Sequence, residues 1–232
     1  MSKQACKLIL ALDLPDKETA LDSLRKLQGS LEWVKIGLQM YLKYGNDFVN
    51  EVAKMGFKIF LDLKLYDIPN TVASAVKSVG VLPIQMLTIH ASGGAEMIKA
   101  ALESAKSVNE NLEILAVTVL TSFDGDGLAK TGVALNPENQ VQLLAKLAVE
   151  NGVKGLVCSP KEIPVLRKIL PEDIDLITPG IRPKGSSADE QKRITTPADA
   201  AKMGSSYIVV GRPILKAQNP AQAALDIIKE IS

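Results

Sequence analysis

The feature that most limits what this chain can fold into is a regular recurrence of short runs rich in Val, Ile and Leu, each followed by a stretch of helical character. The runs are LILALDL (8–14), WVKIGL (33–38), KIFLDLKL (58–65), MLTIHA (86–91), EILAVTVL (113–120), GLVCSP (155–160), LITPGI (176–181) and YIVVGRPI (207–214). Their first residues lie 21 to 42 positions apart, which leaves room for one helix in every connection and calls for parallel neighbours. The intervening DKETALDSLRKL, NDFVNEVAKM, NTVASAVKSV and NPENQVQLLAKLAVEN open on Asp or Asn caps and stop at Gly29, Gly56, Gly80 and Gly152. Eight β-then-α units predict a closed (β/α)8 barrel, with residues 1–232 forming one domain. The alternative is an open doubly wound sheet, which usually has fewer strands and a glycine-rich fingerprint after the first. LDLPDKE, at that place, has no such glycines.

Composition removes several classes of function. Hydrophobic residues make up 47% and charged residues 23%, the balance of an ordinary globular protein. With 27 basic against 26 acidic side chains there is no net field to attract nucleic acid or anionic lipid, so neither is expected as a partner. Trp33 and the scattered tyrosines read as core or interface, without an aromatic platform for bases. KLILALDL is too short for a signal core or a membrane span and is interrupted by Asp13, which predicts a cytoplasmic protein. Cys6 and Cys158 are distant and form no C-x-x-C, so both read as small core residues. His90 alone cannot build a histidine-rich metal cluster, and no G-x-S-x-G marks a serine nucleophile. Chemistry must therefore rest on Lys, Asp and Arg.

Those residues stand where apolar strands should be ending. Side chains alternate across a strand, so Phe60, Asp62 and Lys64 are expected inside the barrel while Leu61, Leu63 and Leu65 pack against helices. The same alternation turns Asp13 and Lys35 inward, bringing four charges from three neighbouring strands to one mouth, with Asp67 just beyond. Ion pairs do fill barrel interiors without any function. Four alternating charges would be a costly filling, however, because each desolvated ion loses several kcal/mol that pairing only partly offsets. A functional site is the better reading. A lysine held between carboxylates stays charged, which makes it a poor Schiff-base nucleophile but a good proton donor to a developing carbanion. His90, at the end of the fourth run, reads as a hydrogen-bonded structural residue near this mouth.

Two connections exceed what topology needs: TSFDGDGLAKTGVAL after the fifth run and RPKGSSADEQKRITTP after the seventh. In a barrel such excess belongs at the catalytic mouth, and the Gly-Ser-Ser at 185–187 suits a closing lid, although composition alone equally suits a solvated loop. Arg182 closes the seventh run, and Gly211 and Arg212 close the eighth. Loops there form the usual phosphate corner of this fold, so a phosphorylated substrate is expected.

LALDL, VKIGL, DLKLYDIPNT, TIHASGG, VTVLTS, TPGIRP and GRPI, in this order across nearly the whole chain, resemble the bacterial branch of the orotidine 5'-monophosphate decarboxylase family. The resemblance implies a homodimer that converts orotidine 5'-monophosphate to UMP, the last step of pyrimidine nucleotide synthesis, without a cofactor or metal. It implies that Lys64 protonates C6, with Asp62 near the departing carboxylate and Lys35 completing the charged array with Asp67 of the other subunit. Asp13 and Thr71 would hold ribose hydroxyls, Thr71 across the interface, with Ile68 in the same segment. Thr121 and Ser122 would lie by the pyrimidine, and Arg182, Gln191, Gly211 and Arg212 by the phosphate. The D-x-K-x-x-D spacing also occurs in gulonate-phosphate decarboxylases and hexulose-phosphate synthases, which use magnesium and an enediolate. There small residues typically follow the last Asp, whereas here Ile68-Pro69-Asn70-Thr71 does. A non-catalytic phosphate-binding barrel is a further alternative, one in which Lys64 among acids would have no purpose.

Overall fold

The computed structural model describes residues 5–183 and 195–232. Eight strands, β1 (Lys7–Ala11), β2 (Trp33–Gly37), β3 (Lys58–Leu65), β4 (Met86–His90), β5 (Glu113–Val117), β6 (Gly155–Val157), β7 (Asp175–Thr178) and β8 (Tyr207–Val210), pair in chain order as a closed parallel barrel. The helices are α1 (Lys17–Leu27), α2 (Leu38–Lys54), α3 (Pro69–Gly80), α4 (Gly94–Val108), α5 (Gly125–Ala129), α6 (Pro137–Glu150), α7 (Ile163–Ile169), α8 (Pro197–Met203), α9 (Arg212–Leu215) and α10 (Pro220–Ile231). The open-sheet alternative is thereby excluded: β1 pairs with β8 from Lys7↔Tyr207 to Leu10↔Val210, leaving no sheet edge.

Alternation along the strands divides the core in two. Ile9, Trp33, Phe60, Met86, Leu115, Ile177 and Tyr207 fill the barrel, while Leu8, Leu10, Val34, Ile36, Ile59 and Leu61 face the helices. Trp33 and Tyr207 meet edge to face with centroids 5.6 Å apart, so of the two readings, core or interface, these two residues take the first.

Local signals act largely as expected. Asp16 caps α1 by accepting the Thr19 N–H at 2.8 Å, and Asn136 caps α6 through the Asn139 N–H at 2.9 Å. Gly29, Gly56 and Gly152 take positive φ just past their helices. Three details differ. Helix α2 is two helical segments joined across a non-helical Gly45 (φ 59°): the second starts at the expected Asn46, and a further segment from Leu38 precedes it. Helix α3 begins on Pro69 without a side-chain cap, the Pro having no N–H to satisfy. Gly80 ends α3 for want of space: a Cβ there would lie 2.6 Å from the Val108 side chain of α4.

At the base of the barrel the inward positions of the odd strands are Lys7, Lys58, Glu113 and Asp175, each two residues before an interior apolar side chain. Gly155 leaves room for this layer, since a Cβ there would lie 2.6 Å from Glu113 Oε1. Burial, followed by the nearby Asp175, pushes the Glu113 carboxyl up to about 7. This pole is charged filling. In this fold loops at the opposite end carry the chemistry.

Candidate active site

Three strand ends supply the charges at the mouth. Asp62 Oδ1 lies 2.7 Å from Lys64 Nζ, Asp62 Oδ2 lies 3.4 Å from Lys35 Nζ, and Lys35 Nζ continues to Asp13 Oδ1 at 3.3 Å. The order Asp13–Lys35–Asp62–Lys64 is thus a chain of alternating charge, as the strand alternation predicts. Burial by itself would push the Asp62 carboxyl up. Lys35 and Lys64, with hydrogen bonds from Lys64 and Thr88, outweigh it and hold Asp62 below the usual carboxylate range. The side chains of Lys35 and Asp62 are about nine-tenths covered, while Lys64 is 30% exposed. Lys64 is therefore the ammonium best placed to meet an incoming ligand.

The strand that delivers these groups is irregular. β3 pairs with β4 at Leu61↔Leu87 and again at Leu65↔Ile89, so Asp62, Leu63 and Lys64 stand opposite Thr88 alone. Two surplus residues preserve the alternation, which is why Asp62 and Lys64 share a face despite the bulge. Leu63 and Leu65 still pack outward. The surplus is taken up at Lys64, with φ 51° the one non-glycine residue at positive φ among those described. That conformation costs on the order of 1–3 kcal/mol, and such strain clusters at functional sites.

A cavity of about 260 Å3 opens beside the array, walled by Lys35, Asp62 and Lys64 on one side and by Val117, Val157 and Pro179 among others on the far side. Thr121 lines it and Ser122 does not. Cys158 also lines it, beyond its expected role as core. Its burial, with Glu162 nearby, keeps the thiol protonated. His90 differs from expectation: its ring packs against Tyr66 at 5.8 Å, without a hydrogen bond to another described residue. Burial, then Lys64, lowers its pKa against the pull of Asp62, so the imidazole is neutral near pH 7.

The remaining expected residues fall into three groups. Arg182 is buried and donates from Nη1 to its neighbour's carbonyl, Ile181 O, while its N–H bonds to Thr195 O at 3.0 Å, tying together the two ends of the connection after β7. Gly211 begins α9 where a Cβ would come within 3.2 Å of Ala11 O, so glycine permits the close seam between β8 and β1. Arg212 follows at an exposed position. Gln191 and the 185–187 stretch lie outside the described residues. Asp67, Ile68 and Thr71 are exposed, and Asp67 accepts the Ile68 N–H at 2.7 Å instead of joining the array of its own chain.

Two neighbours of the array are absent from a reading of charge alone. Thr88, fully buried, accepts the Lys64 N–H at 2.8 Å and donates to Asp62 Oδ1 at 3.0 Å. Gly37 lies so close that a Cβ would stand 2.8 Å from Lys35 Nζ and 3.1 Å from Asp13 Oδ1. A polar residue at an inward-facing strand position, and a glycine two residues after Lys35, were the available signals.

Desolvated charge that is strained into place beside a cavity, at the pole where loops gather, defines the chain as a barrel enzyme. Comparison with known proteins narrows this to one family. The chain belongs to the Orotidine 5'-phosphate decarboxylase / HUMPS family, whose pattern matches residues 6–227. It is 51% identical to an orotidine 5'-phosphate decarboxylase of Opitutus terrae over 98% of this chain and 99% of that one. A relative of the same name from Dichelobacter nodosus is 46% identical over 93% and 94% of the two chains. Among solved structures, the orotidine 5'-phosphate decarboxylase of Lactobacillus acidophilus superposes with a TM-score of 0.87 at 38% identity, covering 99% of this chain and 100% of that one.

Proposed function

We propose that this barrel decarboxylates orotidine 5'-monophosphate to UMP and that Lys64 supplies the proton. The bond between C6 and the carboxylate breaks, CO2 departs, and the electron pair left on C6 takes a proton from the Lys64 ammonium. The neutral amine then regains a proton from solvent. A fixed ammonium stabilises the negative charge on C6 without waiting for water to reorient, which is where a preorganised site gains most over solution. The observation that carries this reading is the Lys64 ammonium on the cavity wall, anchored 2.7 Å from Asp62. Repulsion between Asp62 and the substrate carboxylate is secondary, because each Asp62 oxygen already faces a lysine.

The same pairing bears on the magnesium-dependent alternative. Asp62, with both oxygens facing ammonium groups, makes a poor cation ligand. In this reading Asp13 holds a ribose hydroxyl and Thr121 borders the pyrimidine, with Ser122 beside it. Arg182, Gln191, Gly211 and Arg212 take the phosphate. A second copy of the chain would bring its Asp67 and Thr71 to this site; the exposure of Tyr66 (63%) and Ile68 (66%) around them supports a homodimeric contact.

The test is the loss of orotidine monophosphate absorbance on adding purified protein, with UMP and CO2 formed in equal amounts. EDTA should leave the rate unchanged. Activity abolished by EDTA and restored by magnesium would transfer the chain to the enediolate chemistry of its sugar-phosphate relatives.

A further inference from the structure

The bulge in β3 creates a problem that one side chain solves. Lys64 sits at positive φ, and its N–H donates to a hydroxyl rather than to a strand carbonyl. The acceptor is Thr88 Oγ1 at 2.8 Å, on the single β4 residue that faces the three surplus-bearing residues of β3. The same hydroxyl has one proton to give, and it gives it to Asp62 Oδ1 at 3.0 Å, the oxygen that also holds Lys64 Nζ at 2.7 Å. Backbone of 64, hydroxyl of 88, carboxylate of 62 and ammonium of 64 thus form a ring of three hydrogen bonds closed by the Lys64 side chain. Thr88 is completely buried, so no solvent competes for its hydroxyl.

We infer that Thr88 is a positioning residue for the reaction: it holds the Lys64 backbone in its left-handed turn and locks Asp62 so that the ammonium points into the cavity. This role rests on the decarboxylase reading above. Valine at 88 would keep the shape and the β-branch of the strand but supply neither acceptor nor donor. The Lys64 N–H would lose its partner, the strained turn would relax, and Asp62 would rotate under the pull of Lys35 alone on one side and Lys64 on the other. Serine would restore both bonds. The requirement is for a hydroxyl at this point, not for a particular size.

The experiment compares wild type, Thr88→Val and Thr88→Ser for turnover of orotidine monophosphate, UMP binding, and amide hydrogen exchange at Lys64. Thr88→Val should lower kcat by about 10- to 100-fold, the range for losing a hydrogen bond to a charged group. UMP affinity should stay within about threefold, since the hydroxyl touches the reacting machinery and not the ligand. Exchange of the Lys64 N–H should accelerate by at least about tenfold. Thr88→Ser should recover most of the lost turnover and the exchange protection together. Unchanged kcat in Thr88→Val, unchanged protection at Lys64, or a serine variant no better than valine would each overturn the inference. If Thr88→Val does not fold, Thr88→Ala gives the same comparison; failure of both to fold would make Thr88 a folding residue and also overturn it. Should wild type leave orotidine monophosphate unconsumed, the decarboxylase reading falls, while the exchange measurement still decides whether Thr88 holds the Lys64 backbone.

Discussion

Replacing Gly37 by alanine would add one methyl group at the point where the backbone of β2 passes beneath the charged array. The backbone itself accepts the change, since φ is −94° and ψ −177°, ordinary extended geometry for any residue. The methyl carbon would fall 2.8 Å from Lys35 Nζ, so the ammonium must retreat by about 0.6 Å to reach normal contact. Moving it from 3.4 Å to about 4.0 Å from Asp62 weakens that attraction by roughly 0.7 kcal/mol at an effective dielectric near 20. Lysine is flexible enough to absorb this, and the fold should hold with little change in melting temperature. Catalysis is less forgiving, because misplacement of a site group by a sizeable fraction of an ångström costs about tenfold or more in rate. Steady-state kinetics with thermal unfolding on Gly37→Ala should therefore show kcat/KM down by about tenfold at nearly constant stability. Wild-type kinetics with wild-type stability would refute the claim that the position of Lys35 matters to the reaction.

Other expectations follow from the same geometry. Arg212→Ala should lower kcat/KM by at least about a hundredfold, because the phosphate contact proposed for this exposed residue supplies binding energy that is spent on the reaction; unchanged kinetics would remove the anchor. Glu113→Gln tests the barrel base. With a folded value of about 7 against an ordinary 4.5, the carboxyl favours its neutral form when folded, so wild type loses about 3 kcal/mol as pH rises from 4.5 to 7 and no more above that. The glutamine variant escapes this loss, and its melting temperature should exceed that of wild type by more than about 5 °C at pH 8 with the difference shrinking below pH 5. An equal difference at both pH values would contradict the linkage. The proposed homodimer, in which the partner copy supplies Asp67 and Thr71, predicts that Ile68→Lys sediments as monomer where wild type sediments as dimer and that its specific activity falls on dilution. A monomeric wild type with full activity would rule out the shared site.

Strand starts were the most legible part of the chain, because a run of β-branched and aliphatic residues between glycine-punctuated helices has few other uses. LILALDL begins one residue from observed β1, and KIFLDLKL coincides with β3. The inward direction of Asp13, Lys35, Asp62 and Lys64 followed from period-two alternation alone. What alternation does not carry is register between strands. KIFLDLKL reads as a regular strand, and only pairing with β4 exposes the two surplus residues, the positive φ at Lys64 and the need for Thr88. The need for glycine at 37, and at 80 beyond its reading as a helix stop, escaped for a related reason: each is small because of a side chain packed against it, the Lys35 ammonium in one case and Val108 of α4 in the other. Asp67 and Thr71 stand apart from the array of their own chain, so their roles came from family resemblance and from no local pattern.

The most direct measurement is the fate of orotidine monophosphate with Lys64→Ala, made alongside UMP titration of the same variant. Deleting the ammonium removes the proposed proton source and the charge proposed to steady C6, so turnover should fall by at least about a thousandfold while UMP still binds through the contacts proposed for its phosphate and ribose. A Lys64→Ala enzyme that forms UMP within tenfold of the wild-type rate would contradict the account.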